Sequence, residues 1–190
     1  MEILREDAAA ISAANSYEAL AEVALESLRQ SQEQTGERPV MVCGPIGSGG
    51  AFLRRDYDPA KARERNLAEM RGVIRFLEKE HAIFNQLPYL DRAEEIGIGM
   101  TFRGGQEGSS FRDFMFSLLS PSRDKRESIS DRDLLREKFH LRVLTSGRIG
   151  LIYFLSGWKN SVGSRWYHEQ ALRLGIPIKY VVPKFTAATK

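Results

Sequence analysis

The feature that most constrains the fold is an apolar run that ends in a polar turn. Residues 149–155 are rich in β-branched and aromatic side chains, and the run is too short for a typical helix, which favours a buried strand. The residues after Leu155 are polar, and either Asn160 or Ser161 can cap a helix that follows. Such a helix presents unpaired N–H groups beyond the strand end, which suits an anion or a sugar hydroxyl. The stretch therefore predicts a ligand site at the end of a covered strand.

Strand and helix patterns alternate along the rest of the chain. Short apolar runs predict further strands at 40–43, 82–86 and 176–182. Helical periodicity predicts helices at 8–34, 58–79, 110–119, 131–143 and 163–175. Leu87 and Pro88 are expected to close the strand at 82–86, and the glycines between Gly97 and Gly108 predict a loop.

This alternation predicts a flavodoxin-like α/β fold. Its parallel sheet is expected to have about five strands, with helices on both faces, because buried parallel strands need crossover helices. We expect residues 1–38 to form a helical arm and residues 39–190 to form the α/β domain.

Composition narrows the classes of protein. The chain of 190 residues is 42% hydrophobic and carries a formal net charge of +3, which fits a globular core and an anionic ligand but predicts no nucleic-acid binding. Apolar runs are too short for a membrane helix, and the first residues do not resemble a signal peptide, so we expect a cytoplasmic protein without membrane contact. Three histidines and one cysteine without ligand spacing predict no metal site.

The loop after the first strand is rich in glycine. Residues 44–50 include four glycines, whose N–H groups can approach a phosphate closely because they lack Cβ atoms. The loop does not end in the Gly-Lys-Ser/Thr of a nucleotide P-loop. Either it holds an anionic group, aided by Arg54 or Arg55, or it is a flexible connection with surface arginines. Cys43, just before it, is interpreted as a buried structural thiol rather than a nucleophile.

Several short motifs occur in a fixed order along these strands, turns and helices. They are Val42-Cys43-Gly44-Pro45-Ile46, then Asn66 and Met70, then Phe84-Asn85 and Pro88, then Gly157-Trp158, Ser161-X-Gly163, Ala171 and Gly175-Ile176-Pro177. Over about residues 40–90 and 148–183, this order resembles the nucleoside 2-deoxyribosyltransferase-like family. That family includes transferases that exchange nucleobases on deoxyribose and hydrolases that cleave the N-glycosidic bond of nucleoside 5′-monophosphates. The resemblance implies a nucleoside or nucleotide substrate, no cofactor and a homo-oligomer.

The resemblance also implies roles for individual residues. The residues that match the parts of the family that hold the sugar or its phosphate are Gly44, Ile46, Gly47, Ser48, Gly49, Ser161 and Gly163. In the family, a glutamate on the helix after Ser-X-Gly attacks the anomeric carbon or stabilises the cation formed there. Spacing from the matching glycines and alanine selects Tyr167 for that position, whereas Glu169 is two residues further on.

The displaced glutamate leaves three interpretations. Two residues on an α-helix rotate a side chain by about 200°, so Glu169 reaches the pocket only if the first turn is distorted. Otherwise Tyr167 acts at the catalytic position with changed chemistry, or the protein binds a nucleotide without cleaving it. Trp158 is expected either to stack on a base or to pack, and Asn85 either to face the site or to shape a turn.

Overall fold

A computed structural model describes residues 5–46, 58–103 and 131–181 of the chain. Its helices are α1 (Arg5–Ala13), α2 (Tyr17–Thr35), α3 (Pro59–Leu77), α4 (Leu87–Arg103), α5 (Asp131–Leu135), α6 (Arg142–Thr145) and α7 (Val162–Leu174). The strands are β1 (Val40–Cys43), β2 (Ile83–Phe84), β3 (Leu151–Phe154) and β4 (Ile178–Tyr180). A π-helical turn, Arg136–Leu141, joins α5 to α6, and a 3₁₀ turn, Trp158–Asn160, precedes α7. The helix expected at 110–119 lies outside the described residues.

The strands form one parallel sheet in the order β2-β1-β3-β4. In β1, Val40 pairs with Ile83 on one side and with Leu151 on the other. All four residues of β1 are buried, because the strand lies between two others. The prediction of an α/β fold with a parallel sheet is confirmed, with four strands in the described part of the chain, and this order is compatible with a flavodoxin-like arrangement.

Two predicted helices begin and end where their capping residues indicate. At the start of α3, the Asp58 carboxylate accepts hydrogen bonds from the N–H groups of Ala60 (3.0 Å) and Lys61 (3.3 Å). At the end of α7, Gly175 has a positive φ of 66°, which lets the N–H of Ile176 reach the carbonyl of Ala171 at 2.9 Å. These local signals fix the helices that flank the sheet.

The helix expected at 8–34 is divided in two, so the prediction of one continuous helix is wrong. The chain leaves α1 at Ala13 and begins α2 at Tyr17. The Ser16 hydroxyl accepts a hydrogen bond of 3.1 Å from the N–H of Ala19, which caps α2. A serine cap therefore interrupts a stretch whose apolar spacing alone indicated continuity.

The strand end expected at Leu87 and the part of the Gly97–Gly108 loop that the structure describes also require correction, whereas residues 104–108 lie outside the described residues. Residues Leu87–Arg103 form α4, and Pro88 lies in its first turn, where a missing N–H breaks no helical hydrogen bond. Tyr89, Ala93 and Ile96 are buried at helical spacing. This apolar face favours the helix, although Gly97 and Gly99 each cost about 1 kcal/mol relative to alanine in a helix interior.

The described residues form two compact units. Residues 27–46, 58–85 and 144–181 make up the first, which contains the sheet, and residues 5–26, 86–103 and 131–143 make up the second. One border between the units falls within α2, after Glu26. The helical arm expected over residues 1–38 stays a prediction. Among the described helices, none is long and apolar enough to cross a membrane.

Candidate functional site

A cleft of about 570 Å³ lies at the carboxyl ends of β3 and β4, within the unit that contains the sheet. Its lining residues are Phe154, Leu155, Ser156, Gly157, Trp158, Lys159, Asn160, Tyr180 and Val181. Ligands of parallel α/β sheets bind at this edge, beyond the strand ends. Among these lining residues Lys159 carries the only formal charge, so the described part of the cleft favours a neutral or anionic ligand.

Four aromatic side chains pack together at the cleft, and we call them the aromatic cluster: Phe154, Trp158, His168 and Tyr180. The Trp158 and His168 rings stack with centroids 4.2 Å apart and planes 19° apart. The Tyr180 ring lies nearly parallel to Trp158, at 5.9 Å and 17°. Phe154 is fully buried and meets the His168 ring edge-on at 5.2 Å. The cluster therefore offers an aromatic surface to the cleft, and this surface packs on the buried Phe154 ring.

A hydrogen bond joins two members of the aromatic cluster. His168 Nε2 and Tyr180 Oη are 2.8 Å apart. His168 belongs to α7, whereas Tyr180 is the last residue of β4, and Trp158 follows β3. The helix thus links the ends of two neighbouring strands at the cleft.

Ser161 caps α7, as the sequence predicted for Asn160 or Ser161. Its hydroxyl accepts a hydrogen bond of 3.3 Å from the N–H of Ser164, and its carbonyl accepts one of 3.0 Å from the N–H of Arg165. Gly163 is exposed in the first turn of the helix. The Ser-X-Gly turn therefore forms a helix start beside the 3₁₀ turn that lines the cleft.

Tyr167 points into the interior rather than into the cleft. It is buried with Ser164 and Ala171 on one face of α7, and it lies near Cys43 at the end of β1. Burial, with a smaller contribution from Cys43, raises the pKa of Tyr167 well above 10.0. The phenol is therefore neutral at physiological pH. We call Cys43, Ser164 and Tyr167 the buried cluster.

Cys43 is a buried thiol, as the sequence predicted. Burial raises its pKa from 9.0 to about 12, and the adjacent Ser164 hydroxyl opposes part of the rise. A thiol held neutral in this way is a poor nucleophile, because the thiolate is the reactive form.

The remaining predicted site residues do not line the described cleft. Glu169 is exposed on α7, whose helical geometry is continuous from Val162 to Leu174. Asn85 is half-buried just after β2, and Ile46 is half-buried after β1. Neither residue lines the described cleft. Gly47, Ser48 and Gly49 lie outside the described residues.

Gly44 has a packing reason to be glycine. A Cβ atom at this position would lie 2.6 Å from Leu155 Cδ1 and 2.8 Å from Leu155 Cβ. The N–H of Leu155 donates a 2.8 Å hydrogen bond to the carbonyl of Cys43, which holds the two strand ends together. Gly44 therefore permits the close approach of β1 and β3 beside the cleft.

The sequence reasoning missed Tyr180, which lines the cleft, and His168, which contacts Tyr180 from α7. A signal existed for Tyr180, because it lies near the carboxyl end of the strand predicted at 176–182, and the carboxyl ends of parallel strands share one edge of the sheet. His168 lies one residue from the selected Tyr167, and its contact with Tyr180 spans 12 residues of sequence. Within the described residues, no three His, Cys, Asp or Glu side chains are grouped to hold a metal ion.

No protein-family model matches this chain, and neither the curated proteins nor the solved structures compared with it give a match. The class of protein that the observations define is therefore an α/β protein with a parallel sheet and an aromatic cleft at its carboxyl edge.

Proposed function

We propose that this chain binds a nucleoside or nucleotide in the cleft at the ends of β3 and β4, without cleaving its N-glycosidic bond. The observation that carries the proposal is the aromatic cluster, which offers the Trp158 and Tyr180 rings at a cleft of about 570 Å³. A nucleobase is a planar aromatic group that stacks on such rings. The order of motifs shared with the deoxyribosyltransferase-like family supports the same class of ligand.

The polar residues of the cleft fit the rest of a nucleotide. Lys159 is exposed at the cleft, where its ammonium group can pair with a phosphate. Ser156 and Asn160 also line the cleft and offer hydrogen-bonding groups for sugar hydroxyls. The proposed ligand is therefore held by its base on the aromatic surface and by its sugar phosphate on the polar turn.

The surroundings of the two candidate catalytic residues favour binding without cleavage. Cleavage of an N-glycosidic bond needs a carboxylate, or an activated nucleophile, at the anomeric carbon. Tyr167 is buried and neutral, and Glu169 is exposed outside the cleft. The described lining of the cleft contains no carboxylate. Hydrolysis or base exchange, the activity implied by the family resemblance, is the outcome that would overturn this part of the proposal.

Tryptophan fluorescence tests binding at the cleft. The chain has two tryptophans, so Trp166→Phe leaves Trp158 as the reporter and Trp158→Phe leaves Trp166. We expect adenosine 5′-monophosphate or another nucleotide to quench the emission of Trp166→Phe in a saturable way and to leave that of Trp158→Phe nearly unchanged. Absence of binding to a panel of nucleosides and nucleotides, by calorimetry as well as fluorescence, would refute the proposal.

We propose a flavodoxin-like sheet with a fifth strand, helices on both faces, a homo-oligomeric assembly and a cytoplasmic location. Light scattering of the purified protein measures the oligomer directly, and a monomer at all concentrations would contradict it.

A further inference from the structure

The Tyr180 side chain needs a restraint to serve as a wall of the cleft. Tyr180 is 54% exposed, so packing covers less than half of it. A ring with this much freedom loses side-chain entropy when a ligand fixes it, which weakens binding. A hydrogen bond between Tyr180 Oη and His168 Nε2, 2.8 Å apart, restrains the Tyr180 ring.

His168 is itself held from two directions. Its ring stacks on Trp158 at 4.2 Å and meets the edge of the buried Phe154 ring at 5.2 Å. It extends from α7, whose first turn is fixed by the Ser161 cap. The imidazole therefore transfers the rigidity of the helix and of the end of β3 to Tyr180.

We propose that His168 is a positioning residue, which holds the Trp158 indole and the Tyr180 phenol in the nearly parallel arrangement that receives a planar base. This inference rests on the proposed function, since it assigns the base of the ligand to the aromatic cluster. His168 is not among the residues that line the cleft, so it acts through Trp158 and Tyr180 rather than by touching the ligand. A preorganised aromatic surface gains affinity because the rings are ordered before binding.

Four variants in the Trp166→Phe background separate stacking from hydrogen bonding. His168→Ala removes both the stacking on Trp158 and the hydrogen bond with Tyr180. His168→Phe keeps an aromatic ring but removes the hydrogen bond. Tyr180→Phe removes only the phenolic hydroxyl. Glu169→Ala is the matched control, because Glu169 is exposed on the same helix next to His168. Two quantities are measured: the mobility of Trp158, by time-resolved fluorescence anisotropy, and the dissociation constants of adenosine 5′-monophosphate and ribose 5-phosphate, by calorimetry.

We expect His168→Ala to increase the rapid motion of the Trp158 ring and to weaken adenosine 5′-monophosphate binding by about tenfold, from the size of aromatic stacking energies. Tyr180→Phe and His168→Phe should each weaken it by about threefold, as expected for one lost hydrogen bond. Ribose 5-phosphate carries no base, so its affinity should change by less than about twofold, and Glu169→Ala should behave as the parent.

Unchanged Trp158 mobility in folded His168→Ala would overturn the inference, and so would an equal loss of affinity for the two ligands. If His168→Ala does not fold, His168→Phe and Tyr180→Phe still test the hydrogen bond, and affinities for adenosine 5′-monophosphate equal to that of the parent in both variants would overturn the inference. If the parent protein binds no nucleotide, the proposed function fails, whereas the anisotropy still decides whether His168 restrains Trp158.

Discussion

The two faces of α7 place the aromatic rings of adjacent residues, Tyr167 and His168, in opposite environments. On one face, Tyr167 and Ser164 are buried against Cys43 at the end of β1. On the other, His168 joins Trp158 and Tyr180 at an accessible cleft. Burial keeps the first set of groups neutral, whereas the second set is available to a ligand.

This difference teaches that a residue can match a position in a family's motif spacing without having the chemistry of that position. Motif spacing predicts that Tyr167 is the counterpart of a catalytic glutamate in the deoxyribosyltransferase-like family, which the sequence resembles, yet the Tyr167 side chain lies in the interior. Its neighbour His168, which no motif selects, stacks on Trp158 in the aromatic cluster. The buried cluster should therefore control stability, and the aromatic cluster should control ligand affinity.

Tyr167→Glu should have the largest effect on stability. The substitution removes a buried aromatic ring and places a carboxyl group in the same interior site, and we expect it to lower the free energy of unfolding by about 3–5 kcal/mol. The loss should grow as the pH rises above the ordinary glutamate pKa of about 4.3, because burial favours the protonated form. Urea denaturation at pH 5 and pH 7 measures both effects, with Glu169→Gln as the exposed control. A stable Tyr167→Glu variant that releases base from nucleotides would show that position 167 faces the ligand.

Trp158→Ala should have the largest effect on binding. Loss of one stacking surface should weaken the binding of adenosine 5′-monophosphate by about 1–3 kcal/mol. The free energy of unfolding should fall much less than in Tyr167→Glu, because Trp158 is only half-buried. Calorimetric titration and urea denaturation of the same preparation provide the comparison. Equal affinities of the variant and the parent would remove Trp158 from the site.

Gly44→Ala tests the close approach of β1 and β3. The added Cβ would lie 2.6 Å from Leu155 Cδ1, and overpacking of this kind destabilises by about 1–3 kcal/mol. Gly72→Ala is the matched control, since a Cβ there meets no atom within 4 Å and Gly72 lies in α3. The control should be more stable than the parent by about 1 kcal/mol, because alanine favours helices. If the two variants unfold at the same urea concentration, the contact with Leu155 does not constrain the chain.

The buried Cys43 thiol should make stability fall at high pH. Its pKa is raised from 9.0 to about 12 in the folded protein, so the fold favours the neutral thiol. The contribution of the neutral thiol to the free energy of unfolding is complete below pH 9.0. It is lost as the pH rises towards 12, by up to about 1.4 kcal/mol for each pH unit. Urea denaturation from pH 8 to pH 10.5 should give a shallower decline for Cys43→Ala than for the parent. Parallel declines would show that the thiol is not protected from ionisation.

Glu169→Gln should have the smallest effect. The side chain is exposed on α7, and surface substitutions of this kind change stability by less than about 0.5 kcal/mol. Nucleotide affinity should also equal that of the parent. A clear loss of binding or of base release in this variant would instead place Glu169 at the ligand.

The sequence was sufficient where the determining interactions are local. Asp58, Ser161 and Gly175 mark helix ends through their own hydrogen bonds or backbone angle, and the apolar runs predict all four described strands. The interruption before α2 also has a local signal, the Ser16 cap, but the helical spacing on both sides of it predicts one continuous helix.

The candidate site was less predictable, because its contacts are tertiary. The Trp158 indole was a predicted candidate, but its partner His168 lies on the next helix, and Tyr180 lies on the following strand. Their meeting depends on the parallel pairing of β3 with β4 and on the rotation of α7. Sequence spacing also could not show that Tyr167 faces Cys43 rather than the cleft.

Chromatography of nucleotide incubations gives the most direct test of the contrast between the two faces of α7. The parent protein, Tyr167→Phe and Glu169→Gln are each incubated with a panel of ribo- and deoxyribonucleosides and their 5′-monophosphates, under conditions where calorimetry has shown a bound fraction. We predict that the ligand is recovered intact from all three proteins. Release of free base by the parent, abolished by Tyr167→Phe or Glu169→Gln, would contradict binding without cleavage and would identify the residue that carries the reaction.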